Sequence, residues 1–126
     1  MWTASGRNTL GNLTTTVCAY SFDSINWNSG TNNTSLSIGN SIGWSNKIGG
    51  VNIIQPTIAL GTGVNSIAYS PDGIKWSGLG KSIFSSSGIC AVWNGSLWVA
   101  GGNGSVGTIN NTLAYSYDGL SWYGIS

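Results

Sequence analysis

The chain predicts an all-β fold built from repeated four-stranded antiparallel sheets, on three observations. Three near-identical octets recur along it: Tyr20-Ser-Phe-Asp-Ser-Ile-Asn-Trp27, Tyr69-Ser-Pro-Asp-Gly-Ile-Lys-Trp76 and Tyr115-Ser-Tyr-Asp-Gly-Leu-Ser-Trp122. Their tryptophans stand 49 and then 46 residues apart, a period that belongs to propeller blades and not to helical solenoids. Between the octets, short runs of alternating apolar and polar residues are broken by Gly and Asn, which is the pattern of short antiparallel strands.

The last repeat is the most regular and sets the template. Ile89-Cys-Ala-Val-Trp93 reads as an innermost strand, Asn94-Gly95 as a hairpin turn and Leu97-Trp-Val-Ala100 as the second strand. Thr112-Leu-Ala-Tyr115 then reads as the third strand, and Leu120-Ser-Trp122, beyond the Asp118-Gly119 turn, as the fourth. In the middle repeat Ile58-Ala-Leu-Gly61 matches Trp98-Val-Ala-Gly101, and Ser66-Ile-Ala-Tyr69 matches Thr112-Leu-Ala-Tyr115. The loops differ in length while the strands stay matched, as repeat families allow. The first repeat opens part-way through, with Trp2-Thr-Ala-Ser-Gly6 matching Trp98-Val-Ala-Gly-Gly102. The expected organisation is one domain over 1–126, a partial blade at 1–36 followed by blades at 37–86 and 87–126. That amounts to eleven strands, about two and three-quarter blades.

Composition fits this reading. Gly (20), Ser (20), Asn (14) and Thr (11) dominate the 126 residues and only 6 % are charged, far below the usual quarter. Seven Trp and five Tyr argue for a packed sheet and against disorder. The cations Arg7, Lys47, Lys75 and Lys81 are scattered and the net charge is +1, so no footprint for nucleic acid or an anionic membrane is present. The apolar runs are too short to span a bilayer, and the polar, Gly-rich residues after Met1 do not read as a signal peptide. The sequons at Asn12, Asn32, Asn33, Asn94, Asn103 and Asn110 carry no argument, because a chain this rich in Ser, Thr and Asn forms most of them by chance. Cys18 fills the hydrophobic slot held by Ile67 and Leu113 in the other repeats. Two buried free thiols are therefore expected rather than a disulfide, with a cytoplasmic or virion-associated setting favoured over a secreted one.

The chemistry available is sparse. The chain has no Glu and no His, and its only Asp residues are Asp23, Asp72 and Asp118, one in each octet. An Asp in a tight turn accepts backbone N–H bonds, and the Gly after it takes positive φ without steric cost. The preceding Ser adds a local bond and the Trp can lie under the hairpin. A structural role is thus expected for Ser21, Asp23 and Trp27, for Ser70, Asp72, Gly73 and Trp76, and for Ser116, Asp118, Gly119 and Trp122. Two-carboxylate glycoside hydrolysis lacks its partners, and His-based metal sites and Ser-His or Cys-His catalysis lack their imidazole. No enzymatic activity, cofactor or metal is expected. Gly102-Asn-Gly104-Ser-Val-Gly107 satisfies a dinucleotide-binding spacing but lies between antiparallel strands with no helix to follow. Gly78-Leu-Gly80-Lys81-Ser82 echoes a phosphate loop, yet the first Gly of that motif is replaced by Lys75. Outside the octets, Trp44, Trp93, Trp98 and Tyr123 are aromatic candidates for holding a glycan. The competing reading sends Trp93 and Trp98 into the packing between blades and leaves Trp44, between Gly43 and Ser45, the most exposed.

The pattern SxDGxxW preceded by Ala-Tyr resembles the Asp-box of sialidase-like β-propellers, whose usual form carries one more residue between Asp and Gly. Joined to LWVAGG, it is similar to propeller repeats abundant in giant DNA viruses, and the resemblance recurs three times over nearly the whole chain. It implies a propeller in which the motif occupies the hairpin between third and fourth strands, on the outer rim away from the ligand face. The first copy departs from it, with Ser24 where the others have Gly73 and Gly119. Sialidases of that fold need an arginine cluster, a Tyr nucleophile with a Glu and an acidic general acid; with one Arg and no Glu, a sialidase-like hydrolase is the distant alternative.

Closed propellers take roughly four to eight blades, so one copy cannot close a ring and would expose two apolar faces. The expected partners are other copies of the chain, first as a homodimer forming one ring and second as a larger cyclic oligomer. The seam is expected between the outer strand near Ser126 and the incomplete first blade, where an open edge must be covered. The expected function is a non-catalytic structural or interaction module, viral or an engineered propeller fragment, with a glycan-binding lectin propeller as the alternative.

Overall fold

A computed structural model describes residues 1–7, 17–30, 36–45, 56–104, 107 and 110–126. Lys47 and the sequons at Asn12, Asn32 and Asn33 lie outside the described residues. Among those described, the chain forms eleven β-strands and no helix. The first sheet holds β1 (Trp2–Ser5), β2 (Cys18–Ser21) and β3 (Asn28–Ser29). The second holds β4 (Leu36–Gly43), β5 (Thr57–Gly63), β6 (Ile67–Ser70) and β7 (Ser77–Gly78). The third holds β8 (Ser87–Trp93), β9 (Trp98–Asn103), β10 (Leu113–Ser116) and β11 (Tyr123–Ile125). Each sheet is an antiparallel meander with its strands in chain order. Asn94 closes the β8–β9 hairpin as expected, its Oδ1 accepting the N–H groups of Ser96 and Leu97 at 2.9 Å each.

Two expectations from the sequence need correction here. The fourth strand starts after the octet, at Tyr123 in the third sheet, and not at Leu120. The Asp118 carboxylate accepts the N–H groups of Leu120 and Ser121, which commits that backbone to the turn. The match of Ile58 with Trp98 is also one residue out. An Ala–Ala pair occupies the same place in every sheet, Ala4 with Ala19, Ala59 with Ala68 and Ala100 with Ala114. This register makes Trp2, Thr57 and Trp98 equivalent, and likewise Thr3, Ile58 and Val99. Because side chains alternate, a slip of one residue exchanges the two faces of a sheet.

With the register set, each sheet has a tyrosine face (Tyr20, Tyr69, Tyr115) and an alanine face. Ile58, Leu60 and Ile67 on the tyrosine face of the second sheet pack with Phe84 against Trp98, Ala100 and Ala114 on the alanine face of the third. Val17 and Cys18 of the first sheet meet Leu36, Ala59, Ala68 and Trp76 on the alanine face of the second. Each fully buried large apolar side chain contributes about 1.5–3 kcal/mol, so these two junctions hold the sheets side by side. Asn40 adds a bond between β4 and β8, donating to the Gly88 carbonyl at 2.8 Å. The second sheet is covered on both faces. The tyrosine face of the third sheet, with Val92, Val99, Leu113, Tyr123 and Ile125, is exposed, as are Trp2 and Trp27 of the first.

Cys18 is buried as expected, but Cys90 is exposed. It pairs with Gly101 across β8–β9, which puts it on the tyrosine face of the third sheet, where no further sheet lies among the described residues.

Candidate functional site

The octets build one turn three times. In the second, Asp72 Oδ1 accepts the N–H groups of Ile74 and Lys75, both at 2.8 Å, and the Ser70 hydroxyl at 3.1 Å. The buried Ser70 oxygen in turn accepts the Gly73 N–H at 2.7 Å. The third copy repeats this, with Asp118 accepting from Leu120, Ser121 and Ser116, and Ser116 accepting from Gly119 at 2.8 Å. In the first, Asp23 accepts from Ile25 at 2.9 Å, Asn26 at 2.7 Å and Ser21 at 3.0 Å, and its second oxygen accepts the Asn26 amide. Gly73 and Gly119 both have φ 75°, and Ser24 holds the same left-handed position at φ 64°. Ser24 thus keeps the turn geometry without a glycine.

Donors converging on a carboxylate favour its charged form. The Asn26 backbone and side-chain N–H groups, then that of Ile25, hold Asp23 well below the usual carboxylate range. The Lys75 and Ile74 N–H groups do the same for Asp72. At Asp118 partial burial works against ionisation, yet the N–H groups of Ser121 and Leu120 still keep the carboxyl low. A carboxylate held ionised by its own turn is poorly suited to donate a proton near neutral pH.

The octet tryptophans lie where their neighbours dictate. Trp76 is 3 % exposed between the first and second sheets, whereas Trp27 is 47 % exposed. Trp122 packs against the core between the second and third sheets and donates its indole N–H to the Gly119 carbonyl at 3.0 Å.

The four candidate ligand aromatics do not come together. Trp98 is wholly buried and Trp93 packs against the same core, their rings 5.6 Å apart, so both lie at the junction between the second and third sheets. Tyr123 is exposed on β11 and stacks on Tyr115 at 5.2 Å. Trp44, 65 % exposed, lies beside a cleft of about 600 Å³ lined by Met1, Trp2, Thr3, Ile42 and Thr57 in addition. Among the described residues no charged side chain lines the cleft.

Sequence reasoning missed this lining, and it missed a second recurring device. Asn65 Oδ1 accepts the Gly80 N–H at 2.7 Å, and a side chain at Gly78 would collide with Asn65. Asn111 donates to the Ile83 carbonyl at 3.0 Å and would likewise collide with a side chain at Gly124. The signal was available, since Asn-Ser-Ile-Ala-Tyr-Ser and Asn-Thr-Leu-Ala-Tyr-Ser extend two octets upstream. Among the described residues no three His, Cys, Asp or Glu side chains are grouped to hold a metal ion. No family model, curated protein or solved structure matches this chain.

Proposed function

We propose that the chain is a non-catalytic β-propeller module that builds a closed ring with copies of itself, as a homodimer in the first instance. One observation carries the reading: the two open faces of the molecule are repeat-equivalents of the two faces that pack inside it. The tyrosine face of the second sheet is buried on the alanine face of the third, and the tyrosine face of the third is open. The alanine face of the first sheet, carrying Trp2, is the matching surface. A head-to-tail contact of this kind closes a ring when its rotation permits, and apolar faces of this extent mark interaction surfaces. The octets then act as braces: each Ser–Asp turn rigidifies a hairpin that leans on the neighbouring sheet. Sedimentation equilibrium tests the reading, the expected mass being twice 13.0 kDa; a stable folded monomer at micromolar concentration would overturn it.

The cleft supports a second reading, a neutral glycan held between Trp2 and Trp44. Both indoles are exposed and Thr3 and Thr57 supply hydroxyls beside them, the mix of apolar surface and few polar groups usual in ligand sites. Binding on a glycan array that disappears in Trp44→Ala would favour this lectin role; no binding on the array would remove it.

A further inference from the structure

We propose that the turn of the first octet seats on the third sheet of a second copy, with Ser24 packed against Val99 and Leu97 of that copy. The proposal rests on the self-association proposed above and specifies its register.

Both junctions within the chain use one seat. A Cβ built on Gly73 would lie 2.5 Å from Met1 Cε and 3.0 Å from Thr3 Cγ2. One built on Gly119 would lie 2.7 Å from Pro56 Cγ and 3.0 Å from Ile58 Cδ1. In the strand register Met1, Pro56 and Leu97 are equivalent, as are Thr3, Ile58 and Val99. Leu97 and Val99 therefore form a third seat, and among the described residues no octet of the same chain lies on it. Conversely the first octet has no seat among the described residues of its own chain, and its Phe22, Ile25 and Trp27 are exposed.

The volumes at this pair are exchanged relative to the internal junction between Gly119 and Ile58. Ser24 brings a Cβ where Gly73 and Gly119 have none. Val99 lacks the Cδ1 with which Ile58 would meet such a Cβ. The Ser24 hydroxyl donates to the Asp23 carbonyl at 2.6 Å, so it is already satisfied within its own turn. Relative to that junction, bulk has moved from the seat to the turn, and close-packed contacts respond to a change of one methylene. Seated this way, the open face around Val99 and Leu113 covers Trp2 and Trp27 of the other copy.

The test is a double-mutant cycle on the full chain, with dimer dissociation followed by sedimentation equilibrium for wild type, Val99→Ile, Ser24→Gly and the double variant. Val99 lies on the open face of a single copy, so Val99→Ile leaves the fold of one copy intact, and thermal melts check this. Overpacking predicts roughly tenfold or more weakening in Val99→Ile, and most of the loss returns when Ser24→Gly removes the opposing Cβ. As a second readout, Ser24→Cys with Val99→Cys in a Cys90→Ser background forms a covalent dimer on oxidation, since disulfides need close Cβ atoms. An associating wild type with additive single effects and no cross-link overturns the seam while leaving self-association standing. A monomeric wild type overturns both.

Discussion

Trp27 and Trp76 close the same octet and meet different fates: Trp76 is 3 % exposed and Trp27 47 %. Trp2 and Trp98 repeat the contrast at another equivalent position, one exposed and the other wholly buried. The turns share the same bracing bonds, since Asp23 and Asp72 each accept two backbone N–H groups and a Ser hydroxyl. The octet thus builds its hairpin from local bonds, and burial comes from whichever sheet stands beside it. Stability in such arrays is the sum of what each repeat contributes and what the interfaces between neighbours add.

The sharpest way to break this comparison is to truncate the equivalent tryptophans. Trp98→Ala removes a fully buried indole from the second junction and should cost about 3–5 kcal/mol. Trp2→Ala in dilute protein should stay within about 0.5 kcal/mol, as exposed substitutions do. Urea unfolding of both variants decides it; equal losses would mean that the first sheet draws on contacts beyond the packing described. A Trp2→Ala cost that grows with protein concentration would sharpen the contrast, because it would show the indole buried on association.

The contrast also explains what the sequence disclosed. The octets were legible because their bonds span only two or three residues, so type and spacing suffice to specify them. Strand order followed from them. What escaped depended on partners distant in sequence. Thr57 gives no hydrophobic cue, so matching by hydrophobicity picked Ile58 and missed the register that Ala59 and Ala68 impose. Cys90 sits in an apolar pattern like Cys18, yet only Cys18 has a sheet in front of it. Trp98, in a repeated strand, and Trp44, between Gly43 and Ser45, differ in sequence context, and the stacking of the sheets buries the first and leaves the second exposed.

Glycine at the octet turn gives the next effect in size. Gly119→Ala must hold a Cβ at φ 75° against Pro56 and Ile58. Overpacking and left-handed strain together should cost about 2–3 kcal/mol in thermal or urea unfolding. Ser24→Gly relieves the same strain where, among the described residues, no sheet of its own chain presses on it. It should be neutral or stabilising by up to about 1 kcal/mol in dilute protein. A destabilising Ser24→Gly would show that the Ser24 side chain makes contacts its open position does not suggest.

The carboxylates come third. Asp72→Ala or Asp118→Ala leaves two turn N–H groups without their acceptor and should cost about 1–2 kcal/mol, the range of a lost capping bond. Unchanged unfolding midpoints for both would remove the turn-bracing role. The sign of the pH effect follows from the lowered folded-state pKa values of Asp72 and Asp118. Their stabilisation is present above the unfolded value of about 3.9 and is lost as pH falls below it. Stability should therefore hold through mildly acid pH and decline below about pH 4, and the decline should be shallower in Asp72→Asn.

The smallest effect is on the thiols, and it returns to the same contrast of covered and open faces. Burial pushes the Cys18 thiol up to about 12, while Cys90 is exposed on the open face. A disulfide-exchange reagent at pH 8 should modify one thiol per chain at once and the second only on unfolding. Cys18 labelling should then track urea denaturation. Because the folded-state value is raised, the Cys18 contribution to stability is fully present below the unfolded pKa of about 8.5. It is lost as pH rises from there toward 12. Cys18→Val should flatten that alkaline decline. Cys90 should label quickly in dilute protein and more slowly as concentration rises, because a second copy seated on Val99 would cover the neighbouring sulfur. A labelling rate for Cys90 that stays constant while the sedimenting mass doubles would place the contact between copies on some other face.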